Sequence, residues 1–268
     1  MSIIKQVPKF KQRSEYLKCA SDPVYFLNTY GKVFDAEKQM ISDMTCFDYQ
    51  EDILDDFIDF RFNITLKSRQ TGLSVITAGY CAWRLMFGKD ERVLIIANDG
   101  AGAIRFLETC KQFVDYLPDF LKPPKVGTSI YKTENKKMLQ FYNNCQVEAK
   151  AASPQAGRGE SLTLLVLDEV AFIKDAPDIW KAASTALSMT KGDAILISTP
   201  WGTGNLYHDI WTKAEAKIND FHAVEIHWTQ NPIASKNLEW RIDDDGEKYP
   251  WSPWYEEQCT RLNNDPIS

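Results

Sequence analysis

The chain has 268 residues, which is enough to bury the core of one large domain or of one domain with a small appended lobe. No apolar run approaches the ~20 residues that a membrane helix needs, and the N-terminus lacks the apolar core of a signal peptide, so we expect an intracellular protein. The net charge of −6 argues against a static DNA-coating protein, which is usually basic, but does not exclude binding of nucleic acid through local basic patches.

Three regions follow one another along the chain. Residues 1–46 are polar and helix-prone, whereas from Phe47 to about Trp211 buried β-rich runs alternate with helical patterns, which is typical of a mostly parallel α/β sheet flanked by helices. The predicted elements of this region are a strand at 63–66, a helix at 75–87, a strand at 92–97, a helix at 102–116, a hairpin-like excursion at 128–150 that turns at Asn143-Asn144, and strands at 162–167 and 194–198. We therefore predict a core at 47–230, with 1–46 and 231–268 forming a small lobe against it.

Neither of two common structural metal sites is predicted. The six cysteines are scattered singly and the chain has three histidines, so the paired ligands of a zinc site are missing. The acidic stretch 243–247 (D-D-D-G-E) lacks the spacing of a calcium loop. It is interpreted as a solvated loop.

The strongest local motif is a buried strand that delivers two carboxylates. The continuously apolar run 164–167 is followed by Asp168 and Glu169. At the carboxyl end of a parallel strand, where nucleotides bind, an Asp can help to hold magnesium and the next Glu can activate water. The alternative is a strand that happens to end in two acids at a solvated turn.

A second motif, K-S-R-Q-T-G-L-S at 67–74, lies between a strand and a helix, as a phosphate loop requires. Compared with G-x-x-x-x-G-K-[ST], it keeps Gly72 and Ser74, but Leu73 stands at the lysine position and Lys67 at that of the first glycine. By pattern alone this is a failed phosphate loop. Backbone N–H groups and a helix N-terminus still attract phosphate, however, and a lysine at the strand end has a stem long enough to fold over the loop. Lys67 is then the candidate for a displaced phosphate cation, with Arg69 as a second positive charge in the loop. The alternative is a strand–turn–helix of no special function.

Taken together, these motifs resemble the N-terminal ATPase domain of tailed-phage, T4-like terminase large subunits. The loop is similar to the S-R-Q-x-G-K-T loop of T4-type terminases, and a lysine at its start is similar to the lambda-type variant. Further matches follow in order: F-D-Y-Q at 47–50, L-P-D-F-L at 117–121, A-S-P and G-R-G within 152–159, L-D-E-V-A-F-I at 167–173, I-S-T-P-W-G at 197–202 and G-N-L-Y-H-D-I-W at 204–211. The resemblance covers about residues 22–230. It implies a P-loop NTPase fold of the ASCE type, with an added strand between the two motif-bearing strands.

The resemblance also implies roles for single residues. Tyr49 and Gln50 would contact adenine, Ser74 and Asp168 would hold Mg²⁺, and Glu169 would polarise the attacking water. The phosphates of ATP would lie against the loop, which comprises Lys67, Ser68, Arg69, Gln70, Thr71, Gly72, Leu73 and Ser74. For Tyr49 the alternative is the start of an ordinary amphipathic helix.

Three further assignments stay open. Ser198 and Thr199 would sense the γ-phosphate, or they merely cap a strand end. Arg158 is favoured as an arginine finger that acts on a neighbouring subunit, with Arg69 as its rival within the same subunit and a solvated surface arginine as the alternative for both. A cluster of lysines around the hairpin is interpreted as a solvated face, with DNA tracking as the alternative; it comprises Lys122, Lys125, Lys132, Lys136 and Lys137.

The implied function is Mg²⁺-dependent ATP hydrolysis that powers translocation of double-stranded viral DNA into the procapsid. The expected partners are DNA, the portal protein, the small terminase subunit and further copies of the chain, which would form a pentameric ring in the working motor or stay monomeric in isolation. The expected location is the host cytoplasm, with transient docking on the procapsid and absence from the mature virion.

The family usually continues into an RNase H-like nuclease domain, and this chain ends about where the linker to it would begin. We therefore expect no DNA cleavage by this chain. Two alternatives to the packaging motor remain. One is a helicase-type nucleic-acid ATPase, for which a second RecA-like domain would be expected. The other is a nucleotide-binding module that has lost hydrolysis through the change at Leu73.

Overall fold

The computed structural model describes residues 9–35, 38–158 and 161–261; the outermost parts of both predicted end segments and Gly159 of the G-R-G motif lie outside the described residues. The helices are α1 (Lys9–Ser21), α2 (Pro23–Tyr30), α3 (Asp48–Asp59), α4 (Leu73–Phe87), α5 (Gly100–Asp115), α6 (Ala176–Thr190), α7 (Leu206–Glu215) and α8 (Pro253–Arg261). The strands are β1 (Lys32–Asp35), β2 (Met40–Asp43), β3 (Phe62–Lys67), β4 (Arg92–Ala97), β5 (Tyr131–Asn135), β6 (Met138–Phe141), β7 (Gln146–Ala151), β8 (Leu164–Asp168), β9 (Asp193–Ser198), β10 (Phe221–Ile226), β11 (Glu239–Ile242) and β12 (Lys248–Trp251). In the described ranges no helix combines the length and the apolar character needed to cross a membrane.

The main sheet has the strand order β10-β3-β9-β8-β4-β7-β6-β5. From β10 to β7 the neighbouring strands are parallel, and β6 and β5 continue the sheet in antiparallel pairing. Strand β9 lies between β3, which leads into the phosphate loop, and β8, which ends in Asp168. The predicted α/β fold with an added strand between the two motif-bearing strands is therefore confirmed.

Helices cover both faces of this sheet, as continuous apolar strands predict. Because successive side chains of a strand point to opposite faces, Leu164 and Val166 of β8 pack with α4 and α5, whereas Leu165 and Leu167 pack with α6 and α7. All four side chains are completely buried. This packing fixes the carboxyl ends of the central strands, where the motif residues lie.

The hairpin predicted at 128–150 is part of the main sheet rather than an excursion from it. Strand β7 pairs in parallel with β4, and β6 and β5 add to its outer side. The predicted turn is correct, since Asn144 lies between β6 and β7 with a positive φ of 68°. The edge of the sheet therefore extends well beyond the strands that carry the motifs.

The N-terminal segment packs on the face of the main sheet that is covered by α4 and α5. Cys19, Phe26 and Leu27 are completely buried in the same apolar cluster as these two helices. The indole Nε1 of Trp83 in α4 donates a hydrogen bond to the carbonyl oxygen of Cys19, at 2.7 Å. The hairpin of β1 and β2 in this segment was not predicted, because both strands are short and only half buried.

The C-terminal segment packs around Trp228, whose ring stacks on Tyr255 with 5.2 Å between the ring centroids. The acidic stretch 243–247 forms the exposed turn between β11 and β12, so the prediction of a solvated loop is confirmed. No group of three or more His, Cys, Asp or Glu side chains suited to hold a metal occurs in the ranges that the structure describes. That the two ends of the chain form one lobe stays a prediction.

Candidate active site

The strands β3, β8 and β9 are parallel neighbours, so their carboxyl ends meet at one edge of the sheet. A cleft of about 480 Å³ opens there. Among its lining residues are Lys67, Arg69, Arg105, Asp168, Glu169 and Thr199. Residues that are separated by up to 132 positions in the sequence thus share one concave site, at the position where open α/β sheets bind ligands.

Lys67 is the last residue of β3 and its side chain lies in this cleft. Its Nζ donates a hydrogen bond to Oε1 of Glu169 at 2.8 Å, and only 10% of the side chain is exposed. The ammonium group therefore lies in the cleft rather than in solvent, and its role as the displaced phosphate cation stays a prediction. In this state its ionic partner is the carboxylate that the sequence predicts to polarise water.

Glu169 is held from two sides. Its Oε2 accepts hydrogen bonds from the backbone N–H and from the hydroxyl of Thr199, both at 3.2 Å, while Oε1 contacts Lys67. The backbone of Glu169 is left-handed, with φ 56° and ψ 46°. A non-glycine residue in this region is strained, and such strain concentrates at functional sites. The turn after β8 thus aims the carboxylate of Glu169 into the cleft.

Ser198 and Thr199 have different surroundings. Ser198 is completely buried, and its Oγ accepts a hydrogen bond from the N–H of Ala171 at 3.1 Å. It ties the end of β9 to the turn that follows Glu169. Thr199 faces the cleft and contacts Glu169 directly. Thr199 therefore contacts Glu169 directly, whereas Ser198 is joined to the same turn through Ala171; sensing of a phosphate stays a prediction.

Asp168 and Ser74 form a second pair beside the first. The hydroxyl of Ser74 lies 3.2 Å from Oδ1 and 3.1 Å from Oδ2 of Asp168. Burial raises the pKa of the Asp168 carboxyl, and nearby Lys67 opposes this effect. The folded protein therefore binds this proton more tightly than the unfolded chain does, so ionised Asp168 destabilises the fold at neutral pH. This destabilisation is relieved as the pH falls through the raised pKa.

The variant Asp168→Asn is therefore expected to be more heat-stable than the parent protein at neutral pH without metal or nucleotide. We expect Tm to rise by a few degrees, since about 1 kcal/mol corresponds to roughly 2–4 °C for a domain of this size. The difference should shrink toward acidic pH. Calorimetry across pH tests this, with the exposed Asp220→Asn as the control that leaves Tm unchanged. A lower Tm for Asp168→Asn at neutral pH contradicts the argument.

Leu73 does not face the cleft. It is 1% exposed and belongs to the apolar cluster that α4 and α5 share. Before it, Gln70 and Gly72 have positive φ angles of 60° and 70°, and Gly72 leads directly into α4. A side-chain carbon at Gly72 would meet Nε2 of Gln50 at 2.9 Å, so glycine is needed here for two reasons. The position that holds the lysine in the usual phosphate-loop pattern therefore belongs to the core in this protein.

Tyr49 and Gln50 brace this loop from behind. The Tyr49 hydroxyl and the Gln50 Nε2 both donate hydrogen bonds to the carbonyl oxygen of Thr71, at 2.7 and 3.0 Å. Both side chains are 4% exposed, and the Gln50 Oε1 accepts from the N–H of Phe47. Their polar groups are thus used within the protein, so bracing of the loop is what the structure shows. Contact with adenine stays a prediction.

We expect Tyr49→Phe to lower the free energy of unfolding by about 1 kcal/mol, the usual net value of one buried hydrogen bond. Tyr80→Phe is a matched control, because the Tyr80 hydroxyl donates to the carbonyl of Phe57 at 3.0 Å in an equally buried place outside the cleft. Only Tyr49→Phe should also weaken nucleotide binding, since it loosens the loop. Urea denaturation and nucleotide titration measure the two effects. Equal nucleotide affinity in both variants refutes the bracing role.

Two other polar residues at this site were not predicted. Nδ2 of Asn231, which is 6% exposed, donates to the carbonyl oxygen of Gln70 at 3.0 Å and so fixes the front of the loop. Arg105 of α5 also lines the cleft. The sequence Asn231-Pro232 predicts a turn, but it does not indicate that the Asn231 side chain binds the carbonyl oxygen of Gln70. An arginine in the middle of an amphipathic helix carries no signal at all.

The two candidate arginine fingers are placed differently. Arg69 lies on the cleft rim within its own chain. Arg158 is exposed in the loop at 153–158, beside the buried Ala156. Of the lysine cluster, Lys122 donates to the carbonyl of Asp115 and Lys125 pairs with Asp119, which agrees with a solvated face for these two.

Comparison with known proteins identifies a family that this chain matches. A family model described as the N-terminal part of the T4-like terminase large subunit matches residues 64–256. The large terminase ATPase domain of Thermus phage P74-26 has a TM-score of 0.53 and 18% identity, over 75% of this chain and 83% of that one. The HK97 bacteriophage large terminase has a TM-score of 0.60 and 16% identity, over 78% of this chain and 43% of that one. The large terminase of a thermophilic bacteriophage, solved in complex with ADP, has a TM-score of 0.55 and 13% identity, over 71% and 48%. This chain thus spans less than half of the last two proteins, and at these identities the likeness shows a shared fold.

Proposed function

This chain belongs to the T4-like family of terminase large subunits, and from that premise we propose that it hydrolyses ATP to drive double-stranded viral DNA into a procapsid. The observation that carries the proposal is the meeting of Lys67, Ser74, Asp168, Glu169 and Thr199 at one edge of the sheet. These residues supply a cation, two oxygen ligands, a base and a contact to a neighbouring strand. The cation, the oxygen ligands and the base are parts that enzymes use for phosphoryl transfer to water.

The phosphate loop and Lys67 would bind the polyphosphate. The loop is fixed from behind by Tyr49 and from the front by Asn231, so its backbone conformation exists before nucleotide arrives. Binding moves the Lys67 ammonium from Glu169 to the phosphate oxygens. One rearrangement then delivers the cation and releases the Glu169 carboxylate to orient and deprotonate a water molecule. The ADP complex of the thermophilic phage terminase supports a nucleotide as the ligand of this fold.

The pair of Ser74 and Asp168 fits a magnesium ion. A hydroxyl and a carboxylate are the hard oxygen ligands that Mg²⁺ prefers, and they already lie within 3.2 Å of each other. When bound, Mg²⁺ would add positive charge next to the phosphate oxygens. The buried position of Asp168 fits this role, since a cation compensates a carboxylate that burial alone disfavours.

A conformational change at the nucleotide site would be transmitted to the rest of the domain through β9. The contacts of Thr199 with Glu169 and of Ser198 with Ala171 join the end of this strand to the turn that carries the base. In the working motor we propose a ring of copies of this chain, docked on the portal of a procapsid in the host cytoplasm and supplied with DNA by the small terminase subunit. Arg158, exposed on its loop, is our candidate for the finger that reaches the next subunit.

Hydrolysis of ATP by the purified chain, with Mg²⁺ or EDTA and over a wide range of protein concentration, tests the proposal. We expect turnover that needs Mg²⁺ and a specific activity that rises with concentration if the finger acts between subunits. If the protein binds nucleotide but shows no ATP hydrolysis at any concentration, the proposed ATPase activity of this chain is refuted and a nucleotide-binding module is favoured. Nicking of supercoiled plasmid by the same preparation would contradict the expected lack of DNA cleavage.

A further inference from the structure

A third cation lines the cleft at the β4 end of the sheet edge, with β9 and β8 between β4 and the strand β3 that carries Lys67. Arg105 lies in α5, the helix that follows β4, and β4 is the neighbour of β8 in the sheet. It lines the main cleft and also an adjoining cavity of about 250 Å³, in which Ser74 and Asp168 are further wall residues. Arg105 therefore lies where the two spaces meet, on the side of the proposed magnesium ligands.

The guanidinium group of Arg105 is free to bind a ligand. Its Nη2 lies 3.7 Å from the point that a side-chain carbon at Gly102 would occupy, so the side chain folds back over the first turn of α5. Within the described ranges the guanidinium forms no hydrogen bond or ion pair. Arg84 shows the contrast, because its guanidinium is held by Glu91 and Asp193 at 2.9 and 2.7 Å. Arg105 has no comparable structural task.

The balance of charges around the cleft favours a ligand-binding role for Arg105. The lining holds three acidic side chains, Asp99, Asp168 and Glu169, and three cationic ones, Lys67, Arg69 and Arg105. Without Arg105 the acids would outnumber the cations, which disfavours a polyphosphate. The position that usually carries the phosphate lysine is occupied by buried Leu73, so the Ser74 side of the loop has no cation of its own.

We propose that Arg105 binds the terminal phosphate of a nucleoside triphosphate in its own subunit and supplies the positive charge that Leu73 does not. The inference rests on the proposed function, because it assumes that the cleft binds a triphosphate. A guanidinium suits the task, since its planar fork can donate two parallel hydrogen bonds to one phosphate group and its charge does not depend on pH. Lys67 and Arg105 would then reach the polyphosphate from different positions on the cleft lining.

The test is a binding titration with fluorescent, non-hydrolysable ATP and with fluorescent ADP, each with Mg²⁺. Arg105→Ala is expected to weaken the triphosphate about tenfold, as for one lost charge-assisted contact, and to leave ADP nearly unchanged. Arg105→Lys should restore part of the affinity, because it keeps the charge but not the fork. Glu108→Ala is the matched control, an exposed change on the same helix outside the cleft lining. All variants should keep the parent Tm, since the changes are at the surface.

The outcomes separate this inference from the proposed function. If the parent protein binds neither nucleotide, the proposed function fails and Arg105 has no ligand. If the parent protein binds the triphosphate and Arg105→Ala binds it equally well, the function stands and the role of Arg105 is refuted. Equal weakening of ATP and ADP also refutes it, because a contact to the terminal phosphate cannot act on ADP. If an excess of Lys67→Ala subunits, which keep Arg105 but bind little nucleotide themselves, restores the affinity that Arg105→Ala loses, the arginine acts on a neighbouring subunit, and action within one subunit is contradicted.

Discussion

Replacing Lys67 with alanine is expected to remove ATP hydrolysis and to weaken nucleotide binding by roughly 10- to 100-fold, the value of a charge-assisted contact to phosphate. The buried Leu73 provides no substitute, and Arg69 and Arg105 approach from other positions on the lining. Turnover should fall further than binding, by about 10²–10³, because the Lys67 ammonium would also stabilise the charge that develops on the transferring phosphoryl group. Isothermal titration with a non-hydrolysable ATP analogue and a phosphate-release assay measure the two effects separately.

Two controls keep this result interpretable. Lys67→Met retains the apolar stem and removes only the ammonium, so it should behave like Lys67→Ala. Lys213→Ala removes an exposed lysine that pairs with Asp209 on α7, away from the cleft, and should leave both binding and turnover unchanged. A Lys67→Ala protein that binds and hydrolyses ATP like the parent shows that the phosphate cation lies elsewhere and that the displaced-lysine hypothesis is wrong.

The second large effect is expected for Glu169→Gln. Glutamine keeps the size of the side chain and an oxygen for Thr199, but it cannot take a proton from water. Turnover should fall by about 10²–10⁴, the range for loss of a general base. Affinity for ATP should stay or improve, because the change removes a negative charge next to the polyphosphate and leaves Lys67 without its competing partner. A single-turnover experiment with labelled ATP measures the chemical step directly.

Glu225→Gln is the matched control for this variant. Glu225 is exposed on β10, in the same sheet as β8 and outside the cleft lining, and its replacement makes the same chemical change. It should not alter turnover. If Glu169→Gln cleaves ATP at the parent rate in a single turnover, another group activates water, and the proposed mechanism loses its base.

The sequence was most informative where one element decides the outcome by itself. Strand β4 was predicted at its observed bounds, and the end of β8 at Asp168-Glu169 followed from a continuous apolar run. Contacts that join distant parts of the chain could not be predicted. The brace between Tyr49 and Thr71 spans 22 residues, and that between Asn231 and Gln70 spans 161. Arg105 shows the same limit, because only the pairing of β4 with β8 brings its helix to the cleft.

Under the proposed function, the ion pair between Lys67 and Glu169 makes the protein's own carboxylate a competitor for the cation that would bind ATP. Each nucleotide that enters would exchange one anionic partner of the lysine for another, so binding would gain less electrostatic free energy than with an unpaired lysine. The same exchange would run in reverse after hydrolysis, when Glu169 takes the ammonium back as the phosphates leave. Such a site would bind nucleotide less tightly and release it more readily. In the proposed ring, rapid release would let each subunit be ready when its next turn comes.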